Sequence, residues 1–229
     1  MTLKIDLVIF DCDGVLVDSE IISCRTHAEV LTRHGYPITS EQVFDRFLGR
    51  SALQAMIEVE TELGRSLPDD FDAQLDDALF KSFAATLEAV PHIEEALNGI
   101  ARPACVASSG SPQRLRVSLG RTGLYDRLAP NIFSATQVRN GKPAPDLFLF
   151  AAAQMGTPPD RCLVIEDSLS GIKGARAAGM TVLGFHGASH CRAGYRDTLR
   201  AAGAAETFDD MRQLPGLIGR IEASSQAPN

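Results

Sequence analysis

No apolar run in this chain approaches the roughly 18 residues that a membrane-spanning helix needs, so none of its 229 residues is expected to sit in a membrane. There is no basic stretch either: 22 Lys and Arg stand against 29 Asp and Glu, a formal charge of -7. That balance argues against a nucleic-acid or anionic-membrane partner. It leaves room for a phosphate ligand, which needs only one local cluster of cations. The five cysteines (Cys12, Cys24, Cys105, Cys162 and Cys191) form no CxxC pair and are odd in number. A reduced, cytoplasmic protein is the expectation. There is no internal repeat, and Gly171, Gly174 and Gly179 do not make the GxGxxG of a dinucleotide site. His186 and His190 have helical metal spacing but stand in Gly-Ala-Ser loop sequence, which speaks against zinc. The N-terminus has no small-residue cleavage site and reads as a first strand rather than a signal peptide.

What is present suits a soluble α/β enzyme. At 45% hydrophobic and 22% charged, the chain can bury one large α/β core or two smaller ones. Residues 3–10 read as a buried strand, and further short apolar runs fall at 104–107, 162–165 and 181–185. None of these three later runs alternates polar and apolar, as expected when helices cover both faces of a parallel sheet. A short edge strand is expected at 204–207. Helical stretches lie at 112–120, at 146–155, and between Ser168 as N-cap and Gly179 as C-cap. Strand and helix alternate, which predicts a doubly wound, mostly parallel sheet. From about 19 to 85 the rhythm breaks into helical patterns at 21–34, 40–47 (capped by Ser40), 51–63 and 69–87. This is expected to be an all-helical insertion, 18–86, between core segments 1–17 and 87–229. A monomer is expected.

The first strand runs into Asp11-Cys12-Asp13-Gly14. Side chains two apart in an extended chain share a face, so Asp11 and Asp13 can reach one site while Cys12 points into packing. Gly14 permits a tight turn directly after them. Three other groups follow apolar runs or stiffened loops at strand ends. Ser108-Ser109-Gly110-Ser111 offers a hydroxyl and backbone N–H groups at a helix start, which suits a phosphate. Lys142 is presented by the proline-rich 142–146 segment. Glu166-Asp167 pairs acids as Mg²⁺ prefers. Alone, each is an ordinary turn, loop, surface lysine or helix cap. Four in order make a phosphoryl-transfer constellation, which asks mainly for positioning and charge neutralisation.

The order and spacing of these groups resemble the four motifs of the haloacid dehalogenase superfamily, specifically its β-phosphoglucomutase-like branch. That resemblance implies a Rossmann-like core with a helical cap that selects the substrate. It implies Asp11 as nucleophile and Asp13 as general acid/base, with its carbonyl on Mg²⁺. It implies Ser108, with Ser109 beside it, and Lys142 as phosphate binders, and Asp167 as a Mg²⁺ ligand with Glu166 as a further ligand or its support. Asp13 points to phosphate esters, since dehalogenases of this fold attack carbon and lack that acid. Family mutases place a His on the first cap helix and cations around the next cap loop. Here those positions hold Ser23, Leu48 and Ala52, with His27 one turn past Ser23, which puts mutase activity in doubt. The cap's only lysine, Lys81, falls late in its last helix, which argues against the Schiff-base chemistry of phosphonate-cleaving members. The expectation is a Mg²⁺-dependent phosphatase working through an aspartyl-phosphate on small phosphorylated metabolites. Stretches 43–49, 105–110 and 164–168 are similar to 6-phosphogluconate phosphatase-type members, and a sugar phosphomutase is the alternative. Arg46 and Arg50, in or beside the cap loop, are the candidates to meet an anionic substrate end.

Overall fold

The computed structural model describes residues 4–50 and 52–224. The first half of the chain runs β1 (Leu7–Phe10), α1 (Glu20–Arg33), α2 (Ser40–Phe47), α3 (Ala52–Leu63), α4 (Phe71–Thr86), α5 (Ile93–Gly99), β2 (Ala104–Ser108), α6 (Pro112–Arg121). The second runs α7 (Tyr125–Leu128), β3 (Ile132–Ser134), α8 (Asp146–Gln154), β4 (Cys162–Glu166), α9 (Leu169–Ala177), β5 (Thr181–Phe185), α10 (Tyr195–Ala202), β6 (Glu206–Phe208), α11 (Leu214–Ser224). All strands pair in parallel in one sheet, ordered β3-β2-β1-β4-β5-β6.

The unbroken apolar strands follow from this layering. On β1, Val8 and Phe10 enter one core with Val106, Leu163, Ile165 and Leu183. Leu7 and Ile9 enter the opposite core with Cys105, Ala107, Val164 and Val182. Both faces are covered by helices, so neither parity of the strand can be polar. Chain order reverses beside β1: after β3 the chain crosses to β4 on the other side of it. Ligands of open α/β sheets bind at such a reversal, outside the carboxyl ends of the strands. Phe10 is paired with Val106 on β2 and Ile165 on β4, which puts Asp11 level with Ala107 and Glu166.

Helices α1–α4 come between β1 and β2. They carry a small core of their own, with Leu31, Tyr36, Val43, Val59 and Phe71 buried together. The end of α4 does not belong to it: Leu79, Phe83 and Leu87 are buried with Phe10 and Leu16. The chain leaves and returns at one place, where Val17 bridges Ala89 and the Asp18 N–H donates to the Glu88 carbonyl at 3.0 Å. A second tie comes from the stretch after β5: Arg192 lies 4.1 Å over the Phe44 ring and pairs with Asp45 at 2.8 Å.

Several boundaries differ from the sequence expectation for local reasons. The N-cap of α2 is Thr39, not Ser40. The Thr39 hydroxyl accepts from Gln42 N at 3.2 Å while the Gln42 side chain accepts from Thr39 N at 2.9 Å, a reciprocal capping box. Helix α9 does start at Ser168, whose Oγ accepts from Gly171 N, but its C-cap is Ala178 and Gly179 comes one later. The edge strand expected at 204–207 is paired at Glu206–Phe208 instead. Strand β3 and helices α5, α7, α10 and α11 were not expected. Residue 3 of the first expected strand and residue 51 of the third expected helix lie outside the described residues. Among the described residues no helix is long and apolar enough to cross a membrane, and all five cysteines are free thiols.

Candidate active site

The loop after β1 supplies the first two acids and depends on one glycine. Gly14 has φ +78°, and a Cβ there would fall on the Asp167 carboxylate and against the His190 ring. Only glycine lets the backbone pass that close. Cys12, between the acids, is fully buried, its Sγ 3.8 Å from Ser118 Oγ. Expectation and structure agree there.

Asp11 sits under Lys142, whose Nζ donates to Asp11 Oδ1 at 2.5 Å and to Glu166 Oε1 at 2.7 Å. Lys142 precedes a cis proline, and its Nζ lies 5.0 Å from the Phe148 ring centre. Burial alone would pull the ammonium pKa down, but the Asp11 and Glu166 charges hold it above its ordinary value. Both Glu166 oxygens are used: Oε1 by Lys142, and Oε2 by the Ser168 N–H at 2.8 Å and the Ser168 hydroxyl at 2.9 Å. A Cβ at Gly171 would fall on that carboxylate, so the first turn of α9 wraps it closely. Asp167 turns the other way and takes the His190 ring at 3.2 Å. Burial would pull His190 down, yet its bond to Asp167 holds it up at about 11.

Asp13 has different partners. Its Oδ1 accepts from Ser19 Oγ at 2.5 Å and from Arg114 Nη2 at 2.9 Å. Burial pushes this carboxyl up, but Arg114 and Ser19 outweigh it and hold it below the usual range. Asp11 goes the opposite way. Burial raises it, Lys142 only partly offsets that, and Glu166 and Asp167 push it further up. The two carboxyls are thus pushed in opposite directions by their surroundings.

Ser108 is buried at the end of β2, and its Oγ accepts from Gly110 N at 3.0 Å. Ser109 is exposed. Ser134 at the end of β3 donates to the Gly110 carbonyl at 2.7 Å, and Ser111 caps α6. The loop is therefore braced from both sides, with the N-terminus of α6 behind it.

The two cap arginines are not brought into this cluster. Arg46 pairs with Glu58 at 2.7 Å and Glu62 at 2.5 Å, and Arg50 pairs with the same Glu58 at 2.8 Å. Arg114 on α6, which reaches Asp13, was not singled out from the sequence. Neither was His190 as a partner of Asp167, nor Ser19 as a partner of Asp13.

Asp11, Glu166 and Asp167 each offer an oxygen, all within 4.8 Å of one another, and all three are buried. Asp167, like Asp11, is pushed up by its burial and by the Glu166 charge. Buried acids raised in this way, with Lys142 and His190 as cationic neighbours, form a donor set that fits a hard divalent cation.

Comparison with known proteins gives a consistent picture. The family model for haloacid dehalogenase-like hydrolases matches residues 5–179. A 6-phosphogluconate phosphatase from Escherichia coli (strain K12) is 30% identical over 215 residues, covering 93% of this chain and 95% of that protein. A conserved haloacid dehalogenase-like protein of unknown function from Agrobacterium tumefaciens is 41% identical with a TM-score of 0.83, over 95% of this chain and 99% of that one. A haloacid dehalogenase family hydrolase from Deinococcus radiodurans, solved with bound phosphate and sodium, is 28% identical with a TM-score of 0.78, over 99% and 100% of the two chains.

Proposed function

The chain belongs to the haloacid dehalogenase-like hydrolase family, and from that premise we propose that it is a Mg²⁺-dependent phosphatase of small phosphorylated metabolites. Sugar and sugar-acid phosphates are the substrate class, with 6-phosphogluconate a specific candidate because the relative that shares nearly the whole chain length bears that name. The observation that carries the reading is the pair of unlike carboxylates after β1: Asp11 held by Lys142, and Asp13 held by Ser19 and Arg114.

In this reading Asp11 attacks phosphorus with the oxygen that Lys142 does not hold, and an aspartyl-phosphate forms. Lys142 stays beside the transferring group and offsets its charge. The Ser108 hydroxyl and the N–H groups at the start of α6 receive phosphate oxygens. Asp13, ionised before substrate arrives, takes up a proton as the ester binds, gives it to the leaving oxygen and later takes one from the water that cleaves the acyl phosphate. Asp11, Asp167 and the Asp13 carbonyl would hold Mg²⁺, with Glu166 fixing Lys142 beside them. When bound, the cation keeps Asp11 ionised against its burial and neutralises phosphate charge.

Residues 18–86 act as the cap over the core formed by 1–17 and 87–229, which the separate small core of α1–α4 supports. Hydrolysis is preferred to mutase chemistry because Ser23 is engaged by Arg114 Nη2 at 3.3 Å. The cap positions Leu48 and Ala52 carry no cation either. We place the enzyme in the cytoplasm, which its five free thiols support, and as a monomer.

The test is phosphate release from 6-phosphogluconate, hexose phosphates, phosphoglycolate and β-glucose 1-phosphate, with Mg²⁺ or with EDTA. Wild type should release phosphate only with Mg²⁺, and Asp11→Asn should release none. Conversion of β-glucose 1-phosphate to an isomer without free phosphate would reverse the preference for hydrolysis.

A further inference from the structure

Arg114 is a costly residue where it stands. Its side chain is largely buried, and among the described residues its Nε–H has no hydrogen-bond partner. Buried donors are almost always paired. An apolar side chain would pack on Phe83, 5.2 Å below the guanidinium, without that cost. What keeps an arginine here is therefore at its far end.

That end joins three parts of the molecule. Arg114 starts on α6 in the core, and its Nη2 reaches Asp13 Oδ1 at 2.9 Å and Ser23 Oγ on α1 at 3.3 Å. Ser19 Oγ donates to the same Asp13 oxygen at 2.5 Å. Two donors on Oδ1 fix the rotation of the carboxyl about its χ2 bond. Among the described residues, Oδ2 takes no hydrogen bond. The planar guanidinium keeps its donors in one fixed fork, which a lysine cannot reproduce.

We propose that Arg114 is a positioning residue that aims Asp13 Oδ2 at the leaving-group oxygen of the substrate and ties that aim to the placement of α1 and α4. The proposal rests on the phosphatase reading above. In the step concerned, the bond from phosphorus to Asp11 forms and the bond from phosphorus to the leaving oxygen breaks. Asp13, held ionised by Arg114 and Ser19 before substrate arrives, takes up one proton from water on Oδ2 as the phosphate ester binds, and that proton goes to the leaving oxygen, so an alcohol departs neutral. In the second step the freed carboxylate takes a proton from water.

A leaving group's need for this proton separates the role from simple support of the fold. A sugar alkoxide is a poor leaving group and needs the proton. A p-nitrophenolate leaves without one. The experiment compares kcat/KM for 6-phosphogluconate and for p-nitrophenyl phosphate in wild type, Arg114→Ala and Arg114→Lys, with thermal melts of each. General acid assistance is worth about 10²–10⁴-fold in rate. Misaiming the acid should therefore cost Arg114→Ala on the order of 10–100-fold on the sugar ester and less than about 3-fold on the aryl ester. Arg114→Lys should keep the aryl activity and recover little of the sugar activity. If Arg114→Ala does not fold, Arg114→Lys carries the comparison. An equal loss on both esters, or no loss on either, overturns the proposal. Wild type inert on both esters overturns the phosphatase reading and the proposal with it, and is told apart because it is seen without any substitution.

Discussion

Lys142 is 3% exposed in its side chain and sits between Asp11 and Glu166, whose side chains are 11% and 0% exposed. Replacing it with methionine keeps the apolar stem but removes the cation that bridges Asp11 Oδ1 and Glu166 Oε1. Breaking a buried ion pair from one side costs about 3–5 kcal/mol, because an uncompensated charge is left behind. Two details place this site near the lower end. Asp11 is already pushed up by burial and can take a proton, and Glu166 keeps its two bonds from Ser168. For a chain of this size each kcal/mol moves the melting temperature by about 2–4 °C, so about 3 kcal/mol corresponds to roughly 6–12 °C. The assay is calorimetric melting at neutral pH in EDTA for wild type, Lys142→Met, Asp11→Asn and the double variant. Because Asp11 and Lys142 touch, their effects should not add. The double variant should melt well above Lys142→Met alone. A Lys142→Met melt within about 2 °C of wild type, or no recovery in the double variant, would refute the claim that Lys142 is held by two charged acids.

Two further outcomes follow from the other acids. Mg²⁺ at about 100 times its dissociation constant should stabilise wild type by about 2.7 kcal/mol, or roughly 5–10 °C, and Asp167→Asn should lose most of that shift. Scanning fluorimetry reads it, and no shift in wild type would remove the cation from the acidic cluster. Glu20, in the first turn of α1, is raised from its ordinary 4.5 to about 7, by burial first and then by the Asp13 charge. A raised acid binds its proton more tightly when folded. Its contribution is therefore full below about 4.5 and is lost as pH rises through about 7. Glu20→Gln should match wild type in denaturant stability at about pH 4 and exceed it at about pH 8. Equal stability at both would contradict the shift.

How far the sequence could be read depended on whether a feature was local. Asp11 and Asp13 share a site because of an i, i+2 relation within one extended segment, and Glu166-Asp167 follows its apolar run directly. Strand β3 was not legible. Three residues, Ile132–Ser134, carry no periodic signal, and they become a strand only by pairing with Val106, Ala107 and Ser108 on β2. The charges show the same division. Arg114 shares α6 with Arg116 and Arg121, and nothing in that spacing marks the one that turns toward Asp13. Arg116 lies over Tyr125 instead. His190 paired with His186 on paper, whereas its partner is Asp167, at the end of a strand earlier in the chain. Arg46 and Arg50 were read toward a substrate, but Glu58 and Glu62 on the next helix take their charge. In each case an arginine or histidine can satisfy itself with several carboxylates, and only packing decides which is within reach. The groups to which we assign the chemistry were therefore legible, the acids and Ser108 because the strands carry them. Arg114, which orients Asp13, instead meets its partners across the seam between α1–α4 and the sheet, 101 and 91 residues away in the chain. Arg114 touches both sides of that seam, through Ser23 on α1 and Asp13 after β1. A substitution there should change how the two parts work together before it changes either part alone.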